Sequence, residues 1–178
     1  RVTDNVGNIS NIESTILKID VTPPEVTLYK TEDNWVSSTL SVNTYESMNS
    51  LGKIYGATKQ DGYVSFDGEN DYIDLDLGNY DFNETITMRI KFKGDKGEKN
   101  QEFFNNFETA GVWFGYSTSG EIYFQIYNDE KSAYESARSA VDITKETTFV
   151  GTYDGKAIKL YQDGKLLASK ETSGSIKP

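Results

Sequence analysis

Neither cysteine nor histidine occurs among the 178 residues. Without thiolate or imidazole there is no Ser-His-Asp triad, no cysteine nucleophile and no zinc site of the usual nitrogen–sulfur kind. Acid–base work is left to carboxylates, lysine and tyrosine, and a bound metal would be a hard cation such as calcium, held by oxygen. The missing cysteines exclude disulfides without setting the compartment. Long apolar runs are also missing: none approaches the ~20 residues that span a bilayer, so no membrane insertion is expected of this segment. Positive charge is short as well, with 18 Lys and Arg against 28 Asp and Glu, a net −10. Phosphate binding needs a basic face, so nucleic acid is not an expected partner, and an anionic membrane is disfavoured for the same reason. The chain opens on Arg1 rather than Met and is read as a piece of a longer protein, in which the absence of a signal peptide says nothing about export.

What is abundant is strand-forming. Aromatic residues make up 13%, with 12 tyrosines, and glycine occurs 15 times. Residues 1–24, "RVTDNVGNISNIESTILKIDVTPP", carry turn pairs at Asp4-Asn5 and Gly7-Asn8, then an alternating strand, then a stiff Thr22-Pro23-Pro24 exit. Residues 25–62 are polar and weakly periodic; one or two short strands and long loops are expected there. From Tyr63 the pattern is regular. "TITMRIKFK" alternates Ile86, Met88, Ile90 and Phe92 against Thr87, Arg89 and Lys91. "EIYFQIY" sets Ile122, Phe124 and Ile126 opposite Tyr123, Gln125 and Tyr127. "TTFVGTY" reads as a central strand, and two Asp-Gly turns bracket "AIKLYQ" in a β-meander. "DEKSAYESARSA" suits a helical turn by its Ala and Glu content, while its place between strands suits a long polar loop or an irregular edge strand equally. Regular short strands with one apolar face each predict an all-β fold, a two-sheet antiparallel β-sandwich.

Two resemblances follow. The "V-x-D-x-x-G-N" and "I-D-x-T-P-P" phrases of residues 1–24 resemble the closing hairpin and linker of a bacterial immunoglobulin-like repeat. "YVSFDGENDYIDL", "TITMRIKF", "VGTYDGKAIKLYQDGKLL" and "SGSIKP" resemble the laminin-G-like, concanavalin A-like jelly roll of bacterial surface proteins, over roughly residues 60–178 and more loosely 25–60. The implied organisation is a hairpin and linker over 1–24 and a jelly-roll domain over 25–178 that lacks its last strands, because the family continues past the phrase that ends here at Pro178. The family also has an aromatic residue, often Trp, where this chain reads Glu146-Thr147-Thr148-Phe149, so other side chains must fill that space.

The resemblance implies a non-catalytic recognition or adhesion module of a bacterial surface or secreted protein, extracellular or wall-associated. Its implied partner is carbohydrate, or else a host or neighbouring surface protein. A structural spacer or appendage subunit without a ligand is the alternative, and a jelly-roll glucanase a further one. The glucanase reading rests on Glu69, Asp71 and Asp74, whose sequence spacing resembles the Glu-x-Asp-x-x-Glu of jelly-roll glucanases, where retaining chemistry needs two carboxyls about 5–5.5 Å apart. On a regular strand, however, Asp74 points away from the other two. Asp67 and Asp71 are either Asx-type turn residues or ligands of the one calcium ion that related domains often bind. Tyr123, Gln125 and Tyr127 share a strand face, and Tyr161 is expected on the same sheet; together they are the candidate ligand contacts, offering stacking surfaces beside an amide. Cross-strand packing, or cover by a loop over 128–140, is the competing reading of those rings. Arg89 and Lys91 read as a solvated face.

Overall fold

A computed structural model describes residues 28–30, 36–38, 52–75, 84–106 and 110–177. The hairpin and linker expected over residues 1–24, and the boundary after them, lie outside the described residues. The chain divides into two units, 1–78 and 79–178.

Among its described residues the first unit holds three antiparallel pairs. Strands β1 (Leu28–Lys30) and β2 (Val36–Ser38) pair with each other. Strands β3 (Gly52–Tyr55) and β6 (Tyr72–Leu75) pair around an inner hairpin of β4 (Thr58–Gln60) and β5 (Tyr63–Ser65). The Asp61-Gly62 turn closes that hairpin, and Gly62 has φ +81°, a conformation glycine adopts without strain. On β3 and β6, Ile54 faces Ile73 and Tyr55 stacks on Tyr72 with ring centroids 4.5 Å apart, a cross-strand pair on an exposed face.

The second unit is a sandwich. Its strands are β7 (Ile86–Phe92), β8 (Gln101–Asn105), β9 (Val112–Tyr116), β10 (Glu121–Asn128), β11 (Ala133–Ala140), β12 (Thr147–Tyr153), β13 (Ala157–Gln162) and β14 (Lys165–Glu171). One antiparallel sheet has the order β11-β10-β9-β8, the other β14-β13-β12-β7. Alternation decides what each strand buries. On β10, Ile122, Phe124 and Ile126 are fully buried; on β12, Phe149 and Tyr153 are inward. The inward row of β7, Ile86 to Phe92, packs on this core as expected, and Phe149 sits 5.6 Å from Phe92 at the start of β12 where the family's aromatic is replaced. No helix occurs among the described residues.

Residues 133–140, whose composition suits a helical turn as well as an irregular edge strand, form a regular edge strand. Each residue of β11 from Ala133 to Ala140 pairs in unbroken register with β10. The helix propensity of Ala is worth tenths of a kcal/mol, and it is overridden by eight ladder partners and by burial of Ala137 at 2% exposure.

The last described segment ties the sheet's end. The Lys177 amide donates to the Tyr127 carbonyl (2.9 Å), and the Gly111 amide donates to the Lys177 carbonyl (2.7 Å). Beneath it Asn128, fully buried, donates to the Ser173 carbonyl (2.7 Å) and accepts from the Lys131 amide (2.9 Å).

Candidate functional site

The outer face of the β8–β11 sheet carries three of the candidate ligand contacts. Because Ile122, Phe124 and Ile126 point into the core, Tyr123, Gln125 and Tyr127 must point out, and all three are half-buried there. Register then decides their neighbours. Tyr123 lies between Gly115 and Arg138, Gln125 between Trp113 and Ser136, and Tyr127 beside Tyr134.

Tyr123 and Gln125, with Trp113, Tyr134 and Arg138, line a groove of about 330 Å³, and Tyr127 is not among its lining residues. Asn100 and Glu102 stand at the β8 wall, Trp113 and Tyr123 form the floor, and Tyr134 and Arg138 stand at the β11 wall. Glu102 is held by the Asn105 amide (2.9 Å), and Asn100 accepts from the Thr118 backbone amide (3.0 Å). Trp113 is only 8% exposed, because Tyr134 covers it edge-on at 5.1 Å. Tyr127 meets Tyr134 edge-on from the other side at 4.9 Å. Tyr134 itself is 46% exposed.

Tyr123 leans across the sheet towards β8. A Cβ on Gly115 would lie 2.5 Å from the Tyr123 hydroxyl and 2.7 Å from the Gln101 carbonyl, so only glycine leaves room for the ring. Burial, then the Glu102 charge, raise the Tyr123 hydroxyl above its ordinary 10.0, against the opposing pull of Arg138, so it stays a neutral donor at physiological pH. The Arg138 guanidinium stands over the Tyr123 ring (5.6 Å to its centroid), donating from Nε to Ser136 Oγ (3.1 Å) and from Nη2 to Gln125 Oε1 (3.4 Å). Lys177 stands over Tyr127 at 5.3 Å.

The structure thus brings Tyr123, Gln125 and Tyr127 together and separates Tyr161 from them. Tyr161 lies on β13, in the other sheet, opposite Val150 and at a register shift after Leu160. The expectation that it shares their sheet is corrected: the β12–β14 meander packs against the sheet that carries Tyr123 instead of joining it. Segment 128–140 does not lie across the rings as a covering loop; as β11 it widens the face. Trp113, Tyr134, Arg138, Glu102 and Lys177 escaped sequence reading. The alternation Tyr134-Ser136-Arg138 against Ala133-Glu135-Ala137 was the signal available for two of them.

The acidic stretch 67–74 is a turn followed by a strand. Asp67 Oδ1 accepts from the amides of Glu69 (2.8 Å), Asn70 (3.2 Å) and Asp71 (3.3 Å), and Asp71 Oδ2 accepts from the Asp67 amide (2.8 Å). Those bonds, led by the Glu69 amide, hold the Asp67 carboxyl below its ordinary 3.8. Asp71 Oδ1 rests against Gly56, where a Cβ would collide with it. Asp74 stands exposed on β6 opposite Lys53. Calcium asks for six to eight oxygens. Here the two carboxylates are committed to backbone amides, and among the described residues no group of three acidic side chains gathers at a metal-binding spacing. Asp67 and Asp71 alone supply fewer oxygens than calcium asks for, and the remaining ligands of a calcium ion would have to be backbone carbonyls or water.

The comparisons agree with this architecture. No curated protein and no solved structure matched the chain. A laminin-G-type family model of the concanavalin A-like lectin/glucanases superfamily matches residues 59–178. That match covers the whole sandwich and more than half of the sequence, and the chain belongs to this family.

Proposed function

We propose that the chain is a non-catalytic recognition module of a secreted or wall-attached bacterial protein, and that the outer face of β8–β11 binds carbohydrate. The observation carrying this is the groove itself: an exposed tyrosine, Tyr134, backed by Trp113, between an Asn100–Glu102 wall and the Gln125–Arg138 pair. Sugars present one apolar face of C–H groups and a rim of hydroxyls, so they are recognised by a ring beside planar donors and acceptors. Tyr123 and Tyr127 serve less as platforms than as supports, since Arg138 and Lys177 stand over their rings. Among the described residues that line the groove, Glu102 is the one carboxylate, and a retaining glycosidase needs two.

A multivalent glycan array tests this reading. Tyr134→Ala is expected to weaken any captured glycan by about tenfold, equivalent to 1.4 kcal/mol. Wild-type binding by that variant would move the site elsewhere, and a blank array from folded protein would turn the reading to a structural or protein-binding role. Calcium has no part in this mechanism; a thermal melt that shifts between chelator and millimolar calcium would return Asp67 and Asp71 to consideration.

A further inference from the structure

Resting on the carbohydrate reading above, we propose that the groove takes an acidic glycan, a uronate whose ring stacks on Tyr134 and whose carboxylate meets Arg138. Charge is the first ground. The chain as a whole carries −10, which by itself repels anions, yet two cations stand on this one face over tyrosine rings. The second ground is that Arg138 lines the groove without an ion-pair partner: among the described residues no carboxylate lies within salt-bridge distance of it, and the groove's Glu102 is bonded to Asn105 instead.

The third ground is how Arg138 is held. Its Nε and Nη2 donate to Ser136 and Gln125, and its Cζ stands over the Tyr123 ring, so the guanidinium is held before a ligand arrives. Its Nη1 has no hydrogen-bond partner among the described residues. The fork suits a planar carboxylate better than a single hydroxyl. Because Gln125 Oε1 accepts from Arg138, the Gln125 amide nitrogen remains a donor beside it.

Direction follows from the opposite wall. Glu102 lies across the groove on β8, fastened by Asn105, and it repels a carboxylate placed there. A uronate is therefore seated one way, with its acid towards β11 and its neutral hydroxyls towards Glu102 and Asn100, which accept from them.

An array that prints each uronate-containing glycan beside its carboxyl-reduced form tests the proposal with the whole chain. Capture of uronates, about tenfold weaker for the reduced partners, with that preference lost in Arg138→Gln and partly kept in Arg138→Lys, is the expected result. Both variants should melt with wild type, because Arg138 is exposed. Equal binding of the two forms, or hits confined to neutral glycans, overturns the acid preference and leaves the carbohydrate reading standing. A blank array from folded protein overturns both. A preference unchanged in Arg138→Gln would also overturn the assignment, since the carboxylate would then be read by another residue.

Discussion

At two glycines, Gly151 and Gly115, a neighbouring side chain or backbone approaches closer than a Cβ would allow. Gly151 on β12 faces the core, and a Cβ there would lie 2.3 Å from the Phe124 ring, which belongs to the opposing sheet. The sheets approach closely because one of them has no side chain at that point. Gly151→Ala is expected to cost about 2 kcal/mol by overpacking, seen as a lower urea midpoint with an unchanged slope; a midpoint equal to wild type would show that Phe124 relaxes freely. Gly115 acts at the surface as Gly151 does in the core. A methyl there meets both the Tyr123 hydroxyl and the Gln101 carbonyl, and the carbonyl belongs to a neighbouring strand that cannot swing aside. Gly115→Ala should lift Tyr123 from the groove floor, lowering the melting temperature and abolishing capture on any glycan that wild type holds. Capture at wild-type strength would mean the floor is not used.

Among the elements, the β12–β13 and β13–β14 connections share an Asp-Gly sequence but work differently. At the second, Asp163 and Gly164 both have positive φ (46° and 79°), the geometry of a tight hairpin whose twist matches its strands. In the first, only Gly155 does, and Asp154 Oδ1 accepts instead from the Ala157 amide (2.8 Å) and the Lys156 amide (3.0 Å). Removing that acceptor in Asp154→Ala should cost about 1 kcal/mol, lowering the melting temperature by a few degrees, whereas Asp154→Asn should retain most of the turn. Equal melting of the alanine variant and wild type would assign the turn to Gly155 alone. The end of β10 depends in the same way on Asn128, whose fully buried amide joins the β10–β11 turn to the segment that delivers Lys177. Its loss strands the Ser173 carbonyl and the Lys131 amide together.

For the whole molecule, acidity is a condition of stability as well as a surface property. Asp67, Asp142 and Asp154 are held below their ordinary 3.8 chiefly by the Glu69 amide, the Thr144 hydroxyl and the Ala157 amide respectively, and Glu135 below 4.5 chiefly by its hydrogen bond from Lys131. A group whose folded value is depressed adds stability that is fully present above its unfolded value and is lost as pH falls through the folded one. Melting temperature should therefore stay level from neutral pH down to roughly pH 5 and fall below roughly pH 4. Since the chain has no histidine, no step should appear between pH 5 and 7.5. A midpoint that rises on acidification through pH 4 would show that repulsion among the 28 acidic residues outweighs these bonds.

Period-two alternation was enough to read the sandwich, because a side chain's face on a strand depends on its parity alone. Ile122, Phe124 and Ile126 could be sent inward and Tyr123, Gln125 and Tyr127 outward without knowing any partner strand. The Asp67 turn was legible for a similar reason, since its bonds span no more than four residues. Pairing between strands is a different matter. Tyr161 was set beside Tyr123 by its outward parity, but parity does not say which sheet a strand joins, and β13 joined the other. Residues 133–140 looked helical or irregular because Ala and Glu carry weak local preferences, and only the ladder with β10 made them a strand. With that strand came Tyr134 and Arg138, and with the crossing of residues 172–177 came Lys177. Which faces are apolar, where the tight turns fall and how acidic the chain is are local properties, already fixed by the order of residues. Which side chains share a groove is not local, because a groove is made by register between strands, and register is a long-range choice set by packing.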